Sequence, residues 1–142
     1  MKKRKILIVG AGLGGLSAAG CLLKAGFDIK IYEQAPSLGE VGAGIQISAN
    51  GARVLHLLGL ESELAKVAFR PEEGEMRHWK TGETLISRPL GNSSVERFGF
   101  PYYHMHRYDL HEILETATRA AAPAPPNCRR PAAAAAASAA GT

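Results

Sequence analysis

The stretch Ile6-Leu7-Ile8-Val9-Gly10-Ala11-Gly12-Leu13-Gly14-Gly15 decides the fold of this chain. A continuous run of β-favouring apolar residues predicts a short buried strand over Lys5–Val9. Apolar residues at helical spacing then predict a helix over Leu13–Ala25, with Gly26 where a C-terminal glycine is expected. The glycines between strand and helix satisfy the pattern G-x-G-x-x-G, which in this context is typical of a dinucleotide-binding unit.

Each glycine of this pattern has a predicted physical role. Gly10 allows the tight turn out of the strand, and Gly12 lets the backbone approach a pyrophosphate. Gly15 lets the helix pack closely on the strand. The phosphates are expected beside Leu13 and Gly14, because free N–H groups and the helix dipole at a helix N-terminus favour negative charge.

A second strand is predicted over Phe27–Glu33, which makes the unit a right-handed parallel βαβ crossover. It ends in Glu33, eighteen residues after Gly15. A carboxylate at this point can accept hydrogen bonds from the hydroxyls of an adenosine ribose, and it repels a 2′-phosphate. The pattern therefore disfavours NADP in this pocket, and the alternative reading of Glu33 is a solvated strand end.

The middle of the chain is predicted to contain a connection, two helical segments and a hairpin. Gln34–Ser48 is expected to be a glycine-rich connection, and Asn50 is expected to cap a helix that runs to Gly59. Ser62–Val67 is predicted to form another helical turn. Glu75–Lys80 and Glu83–Arg88 flank Thr81-Gly82, which predicts a hairpin. Its Trp79 is expected to pack against protein, and the alternative is stacking on a substrate.

The last third of the chain changes character at Arg119. Pro89–Gly99 is predicted to be a loop, Tyr102–His106 a short strand and Tyr108–Arg119 a helix. Ala120–Thr142 contains no Leu, Ile, Val or aromatic residue, so it is expected to be a disordered or loosely helical Ala/Pro-rich tail. Alanine, proline, arginine and glycine are the residues that GC-rich codons encode, so the tail is hypothesised to be an out-of-frame or read-through sequence. An uninterrupted gene that encodes the tail would refute this hypothesis.

Composition restricts the function classes. The chain has 142 residues, enough for one domain, and a net charge of +4 that is concentrated towards its ends, which argues against nucleic-acid binding. Its two cysteines have no partner at metal or redox spacing, so a reduced cytoplasmic protein is expected. His104, His106 and His111 lack a completing acidic or cysteine ligand, so no metal site is predicted. Five glycines within Ile6–Leu23 argue against a signal peptide or a membrane span.

Three segments together resemble the FAD-dependent aromatic-ring monooxygenases of the salicylate hydroxylase and p-hydroxybenzoate hydroxylase type. The first is Ile6–Glu33. The second is Gly42-Ala43-Gly44-Ile45-Gln46-Ile47-Ser48-Ala49-Asn50, with the helix to Leu58-Gly59-Leu60. The third is His106-Arg107-Tyr108-Asp109-Leu110-His111. The resemblance covers about residues 4–119 and favours FAD over a simple NAD-dependent reductase.

The resemblance implies an α/β fold: a Rossmann-like βαβ FAD-binding unit with parallel strands, followed by the beginning of a β-rich substrate domain. Residues 1–119 are expected to be a partial FAD-binding domain, with about 70–103 as the start of the substrate-domain hairpin, and 120–142 the tail. The implied cofactor-binding residues are Gly10, Gly12, Leu13, Gly14, Gly15, Glu33, Gly44 and Arg107. No catalytic residue is assigned.

The complete enzyme of this family would hydroxylate a small aromatic substrate with NAD(P)H as electron donor. Later flavin-binding segments of the family do not occur in this sequence, so the chain is expected to be a truncated and inactive form. The alternatives are a nucleotide-binding fragment without turnover and a fragment of an NAD-dependent reductase. No membrane or nucleic-acid partner is expected, and the oligomeric state stays open.

Overall fold

A computed structural model describes residues 5–35 and 43–122 of the chain. Their elements are β1 (Lys5–Val9), α1 (Leu13–Lys24), β2 (Asp28–Tyr32), β3 (Gly44–Ile47), α2 (Ala49–Leu57), α3 (Glu61–Val67), β4 (Glu73–Arg77), β5 (Thr84–Pro89), α4 (Gly91–Phe98), β6 (Tyr103–His106) and α5 (Arg107–Ala121). They fall into two units. The first unit takes the chain up to residue 42 and again from Tyr108 onward, and the second unit is Ala43–Arg107.

The first unit contains the predicted βαβ crossover. β1 and β2 pair in parallel from Lys5↔Asp28 to Val9↔Tyr32, with α1 between them in the chain. α1 buries Leu16 and Ala19, which are among the apolar residues whose spacing predicts the helix. The predicted strand, helix and strand are therefore confirmed, within one or two residues at their ends.

The helix α5 belongs to the first unit from Tyr108 onward. It buries Leu110, Leu114 and Thr118, and the Thr118 hydroxyl donates to the Leu16 carbonyl at 3.4 Å. The helix runs to Ala121, two residues into the predicted tail. The rest of the tail, from residue 123, lies outside the described residues.

One face of the β1–β2 pair leaves two apolar side chains of β1 exposed. Leu7 is 59% exposed and Val9 is 75% exposed, whereas Ile31 of β2 is buried. A parallel sheet is normally covered on both faces, because its strands are apolar on both sides. The described residues of the first unit thus provide cover for part of this sheet only.

The second unit corrects two expectations about its start. β3 pairs antiparallel with β6, from Gly44↔His106 to Ile47↔Tyr103. The segment Gln34–Ser48, predicted to be a connection, therefore contains a strand. Its partner strand lies some sixty residues later in the chain, and a local glycine-rich pattern cannot reveal that pairing. The N-cap of α2 is Ser48, and Asn50 lies inside the first turn of the helix, where its side chain accepts a hydrogen bond from the Ser48 hydroxyl.

A buried tyrosine anchors the second unit. Tyr103 of β6 is 1% exposed, and its hydroxyl lies 2.9 Å from His56 Nε2 of α2. Arg70 donates to the same hydroxyl oxygen at 3.2 Å. α3 buries Leu64 and confirms the helical turn predicted over Ser62–Val67.

The hairpin of β4 and β5 is confirmed, with an antiparallel register from Glu73↔Pro89 to Arg77↔Thr84. Trp79, in its turn, is 89% exposed, so the prediction that it packs against protein is wrong for the described residues. The loop predicted over Pro89–Gly99 is also wrong, because α4 occupies Gly91–Phe98. The buried Ser94 hydroxyl donates to the Phe100 carbonyl at 3.0 Å, a tertiary contact that offsets the weak helix propensity of this segment.

Among residues 5–35 and 43–122, no helix has the length and apolar character needed to cross a membrane.

Candidate nucleotide-binding site

The glycine turn between β1 and α1 contains two glycines that the fold itself requires. Gly10 has φ +97°, a conformation that L side chains rarely adopt. A Cβ on Gly15 would overlap the carbonyl oxygen of Gly10 and lie 3.1 Å from its carbonyl carbon. These are the tight turn and the close approach of helix to strand that the sequence pattern predicts for these positions.

Two other glycines of the turn are not required by the fold. Gly12 has φ −73°, which any residue can adopt, and a Cβ placed there would meet nothing within 4 Å. A Cβ on Gly14 would likewise meet nothing within 4 Å. Neither backbone strain nor packing within the described residues explains why these two positions are glycine. Both positions face open space instead.

The start of α1 is a helix N-terminus without a side-chain cap. Leu16 N–H donates to the Gly12 carbonyl at 3.0 Å as the first intrahelical bond. The first turn contains no acidic residue, and no side chain caps it. The N–H groups before Leu16 therefore have no intrahelical acceptor, and the positive end of the helix dipole faces the open space beside Gly12.

Glu33 lies directly after β2 and is tied to the glycine turn. Its Oε2 accepts the Ala11 N–H at 2.7 Å, and its Oε1 accepts the Ala35 N–H at 2.8 Å. The hydrogen bond from Ala35, followed by that from Ala11, lowers the pKa of the Glu33 carboxyl below its ordinary value. Glu33 is therefore an ionised carboxylate held beside the turn.

A cavity of about 200 Å³ opens at this point. It is lined by Val9, Gly10, Tyr32, Glu33 and Gln34. The Gly10 N–H donates to the Tyr32 carbonyl at 2.7 Å, which holds the two strand ends together at the floor of the site. The carboxyl ends of two parallel strands and a carboxylate thus line one small cavity, and α1 begins three residues after Gly10. Nucleotides bind at this end of the strands in open α/β sheets.

His111 is a member of the site that the sequence did not predict. It lies on α5, and its Nε2 is 2.7 Å from the Ala11 carbonyl oxygen. The charge of His111 also contributes, as a smaller effect, to the lowered pKa of Glu33. No sequence signal reveals this contact, because the two residues are 100 positions apart.

The two remaining predicted site residues, Gly44 and Arg107, belong to the second unit and lie close together there. Gly44 pairs with His106 at the end of the β3–β6 ladder, and the N–H of Arg107 donates to the Ala43 carbonyl at 3.1 Å. A Cβ on Gly44 would make only an ordinary contact, 3.8 Å from the Met105 carbonyl oxygen. The other six predicted residues lie together in the first unit.

Known proteins resemble the chain in both sequence and fold. The family described as "NAD(P)-binding Rossmann-like domain" matches residues 8–59. A 6-hydroxynicotinate 3-monooxygenase of Pseudomonas fluorescens is 43% identical over 110 residues, which are 78% of this chain and 29% of the relative. This chain spans about 30% of the length of the curated relatives it matches.

Solved structures give the same result. A tetrameric form of 2-methyl-3-hydroxypyridine-5-carboxylic acid oxygenase has a TM-score of 0.75 and 28% identity over 90% of this chain and 32% of its own. HpxO of Klebsiella pneumoniae, complexed with FAD and uric acid, has a TM-score of 0.68 and 29% identity over 83% of this chain and 30% of its own. The expected resemblance is confirmed: the chain is homologous to part of the flavin-dependent aromatic monooxygenases.

Proposed function

We propose that this chain forms the adenosine-diphosphate end of an FAD site in an NAD(P)H-dependent monooxygenase of small aromatic compounds. The observation that carries the proposal is the ionised Glu33, fixed by two backbone N–H groups at the rim of the cavity at the end of β1 and β2. The glycine turn supports it with an open, uncapped helix N-terminus.

Glu33 has the acceptor capacity to bind a ribose. A carboxylate offers about four lone-pair sites on its two oxygens, and the described backbone takes one on each oxygen. The remaining sites can accept the 2′- and 3′-hydroxyls of an adenosine ribose. The same negative charge opposes a ribose 2′-phosphate, so FAD or NAD suits this pocket and NADP does not.

The diphosphate would lie over the glycine turn. Gly12 and Gly14 leave space there, and the N–H groups of the first turn of α1, including those of Leu13 and Gly15, supply donors without a competing acidic side chain. Gly10 shapes the turn that places them. The donor set suits a doubly charged pyrophosphate, because each free N–H and the helix dipole favour negative charge.

Gly44 and Arg107 are proposed as further cofactor contacts on the family resemblance. The packing of the described residues does not require glycine at position 44. A guanidinium such as that of Arg107 can pair with a phosphate through two parallel hydrogen bonds. We further propose that about 70–103 begins the substrate-domain sheet of the complete enzyme, with its β4–β5 hairpin.

FAD, when bound, would supply the redox and oxygen chemistry, while the protein binds and orients it. The substrate class is inferred from the relatives, which are named for hydroxynicotinate and hydroxypyridine carboxylic acid. Since the chain spans about 30% of the length of such enzymes, it is expected to bind the adenosine end of the cofactor and to have no turnover by itself. A cytoplasmic location remains our proposal, in keeping with the exposed free thiol of Cys21.

The test is a binding comparison on the purified 142-residue chain. FAD, ADP and NADPH are titrated by calorimetry into the native chain, the variant Glu33→Gln and the control Glu112→Gln, which removes an exposed carboxylate on α5. FAD and ADP should bind the native chain and the control equally, and Glu33→Gln should weaken both about tenfold or more, since bonds to a charged group are lost. Failure of the native chain to bind either ligand would refute the proposal.

Two alternatives remain distinguishable by simple assays. A fragment of an NAD-dependent reductase would bind NADH at least as tightly as FAD. Oxidation of NADH that an aromatic acid stimulates would show that the chain turns over, and would contradict the expectation that it only binds.

A further inference from the structure

The contact between His111 and Ala11 has a defined direction. A carbonyl oxygen can only accept a hydrogen bond, so His111 Nε2, at 2.7 Å, must carry the proton and donate it. Ala11 is 0% exposed, so water does not compete for its carbonyl oxygen. The contact joins α5 to the middle of the glycine turn.

The bond also fixes an N–H group that His111 does not touch. The Ala11 carbonyl and the Gly12 N–H belong to one planar trans peptide, in which the two groups point in opposite directions. Holding the carbonyl toward α5 therefore directs the Gly12 N–H away from α5. On the other side of Ala11, Glu33 Oε2 holds the preceding peptide by the Ala11 N–H, so both peptide groups that flank Ala11 are fixed.

The Gly12 N–H is available for a ligand. Among residues 5–35 and 43–122 it has no hydrogen-bond partner, and the position of Gly12 opens into space. A donor on the carbonyl of a peptide polarises that peptide, which strengthens its N–H as a donor. His111 therefore both aims and strengthens one of the N–H groups at the start of α1.

We propose that His111 is a positioning residue of the nucleotide site, which orients the Gly12 N–H toward the diphosphate of the ligand. This inference rests on the proposed function, adds one residue to the site and assigns separate roles to Glu33 and His111. Glu33 selects the ribose, whereas His111 acts through the Ala11–Gly12 peptide chiefly on the phosphates. Loss of the His111 donor should consequently weaken the binding of ligands that carry phosphate and leave the binding of other ligands unchanged.

Binding of ADP and of adenosine to three variants tests this division. His111→Leu removes the donor, His111→Gln keeps an N–H at a similar reach, and Glu112→Gln changes the neighbouring exposed residue on α5. We expect His111→Leu to bind ADP about fivefold more weakly, the effect of one lost hydrogen bond, with adenosine binding unchanged. His111→Gln and the control should match the native chain. Equal ADP affinity of His111→Leu and the native chain, or equal losses in the Leu and Gln variants, would overturn the proposal.

A measurement without ligand separates this inference from the proposed function. The amide resonance of Gly12 in a ¹⁵N–¹H spectrum reports the polarisation and orientation of its peptide. It should shift most in His111→Leu, shift less in His111→Gln, which loses the ring but keeps a donor, and stay in place in Glu112→Gln. An unshifted resonance in the Leu variant would overturn the role of His111. If the native chain bound no ADP, the proposed function would fail, while this spectrum would still decide whether His111 orients the Ala11–Gly12 peptide. Should the Leu variant not fold, His111→Phe, which keeps a ring without a donor, takes its place in both measurements.

Discussion

Replacement of Gly15 by alanine should destabilise the first unit, although alanine is the better helix former. The added methyl group would overlap the Gly10 carbonyl oxygen and lie 3.1 Å from the Gly10 carbonyl carbon and 3.5 Å from Ile8 Cγ2. Two of these three neighbours are backbone atoms of the strand exit, so no side chain can rotate away. The helix must move off the strand by a large fraction of an atomic diameter.

The size of the effect follows from two opposing terms. Overpacking of a well-packed site costs about 1–3 kcal/mol. The cost here belongs at the upper end of this range, because the added methyl group overlaps backbone atoms. The gain in helix propensity from glycine to alanine is about 0.5–1 kcal/mol. The expected net loss for Gly15→Ala is therefore about 2 kcal/mol in the free energy of unfolding.

The neighbouring glycine provides a matched control. A Cβ on Gly14 meets nothing within 4 Å, so Gly14→Ala should keep the propensity gain and raise the free energy of unfolding by about 0.5–1 kcal/mol. The two variants differ by one position in the same helical turn and should differ by about 3 kcal/mol. With a urea dependence of about 1–3 kcal/mol/M, their midpoints in urea denaturation followed by circular dichroism should lie at least about 1 M apart. Coincident midpoints would refute the close-packing argument for Gly15.

Three further outcomes follow from the structure. The bonds from Ala35 and Ala11 lower the folded-state pKa of Glu33, so its carboxylate stabilises the fold at pH values above the unfolded pKa of about 4.3. This stabilisation is lost as the pH falls through the lower folded-state pKa. The urea midpoint should therefore fall less steeply on acidification in Glu33→Gln than in the native chain, and identical pH profiles would contradict this. Tyr103→Phe should lower the free energy of unfolding by about 1–2 kcal/mol, because the buried hydroxyl bonded to His56 is lost, whereas Tyr102→Phe, whose hydroxyl bonds to Gln46 near the surface, should cost less than half as much in the same denaturation assay. The single tryptophan, Trp79, should be fully accessible to quenching of its fluorescence by iodide, and protection from iodide would show that the hairpin turn is covered.

Local patterns sufficed for those parts of the fold in which the contacts are close in sequence. The β1–α1–β2 crossover needs only an apolar run, a glycine turn and a helical repeat, all within residues 5–32. Gly10 and Gly15 have the geometric roles that the pattern predicts, because those roles arise inside the same supersecondary unit. The hairpin of β4 and β5 was likewise predictable from Thr81-Gly82 and its flanks.

Contacts over long sequence distances account for what the sequence did not predict. α4 forms although Gly91, Asn92 and Ser93 favour a loop, and its backbone is held by the Glu72 carbonyl, which accepts the N–H groups of Leu90 and Gly91 at 2.8 and 3.0 Å. β3 exists because β6 pairs with it. The role of His111 depends on a bond across 100 residues, which no short motif encodes.

The first unit is assembled from two separate stretches of the chain, with Ala43–Arg107 inserted between them. During synthesis the glycine turn and both parallel strands would emerge well before α5, which supplies Leu110, Leu114 and the donors of His111 and Thr118. Closure of so long a loop is entropically costly and slows folding, so the first unit should be the last to become native. Until then its apolar strands and helix face are open to solvent, and this interval is where chaperone binding or aggregation would compete with folding.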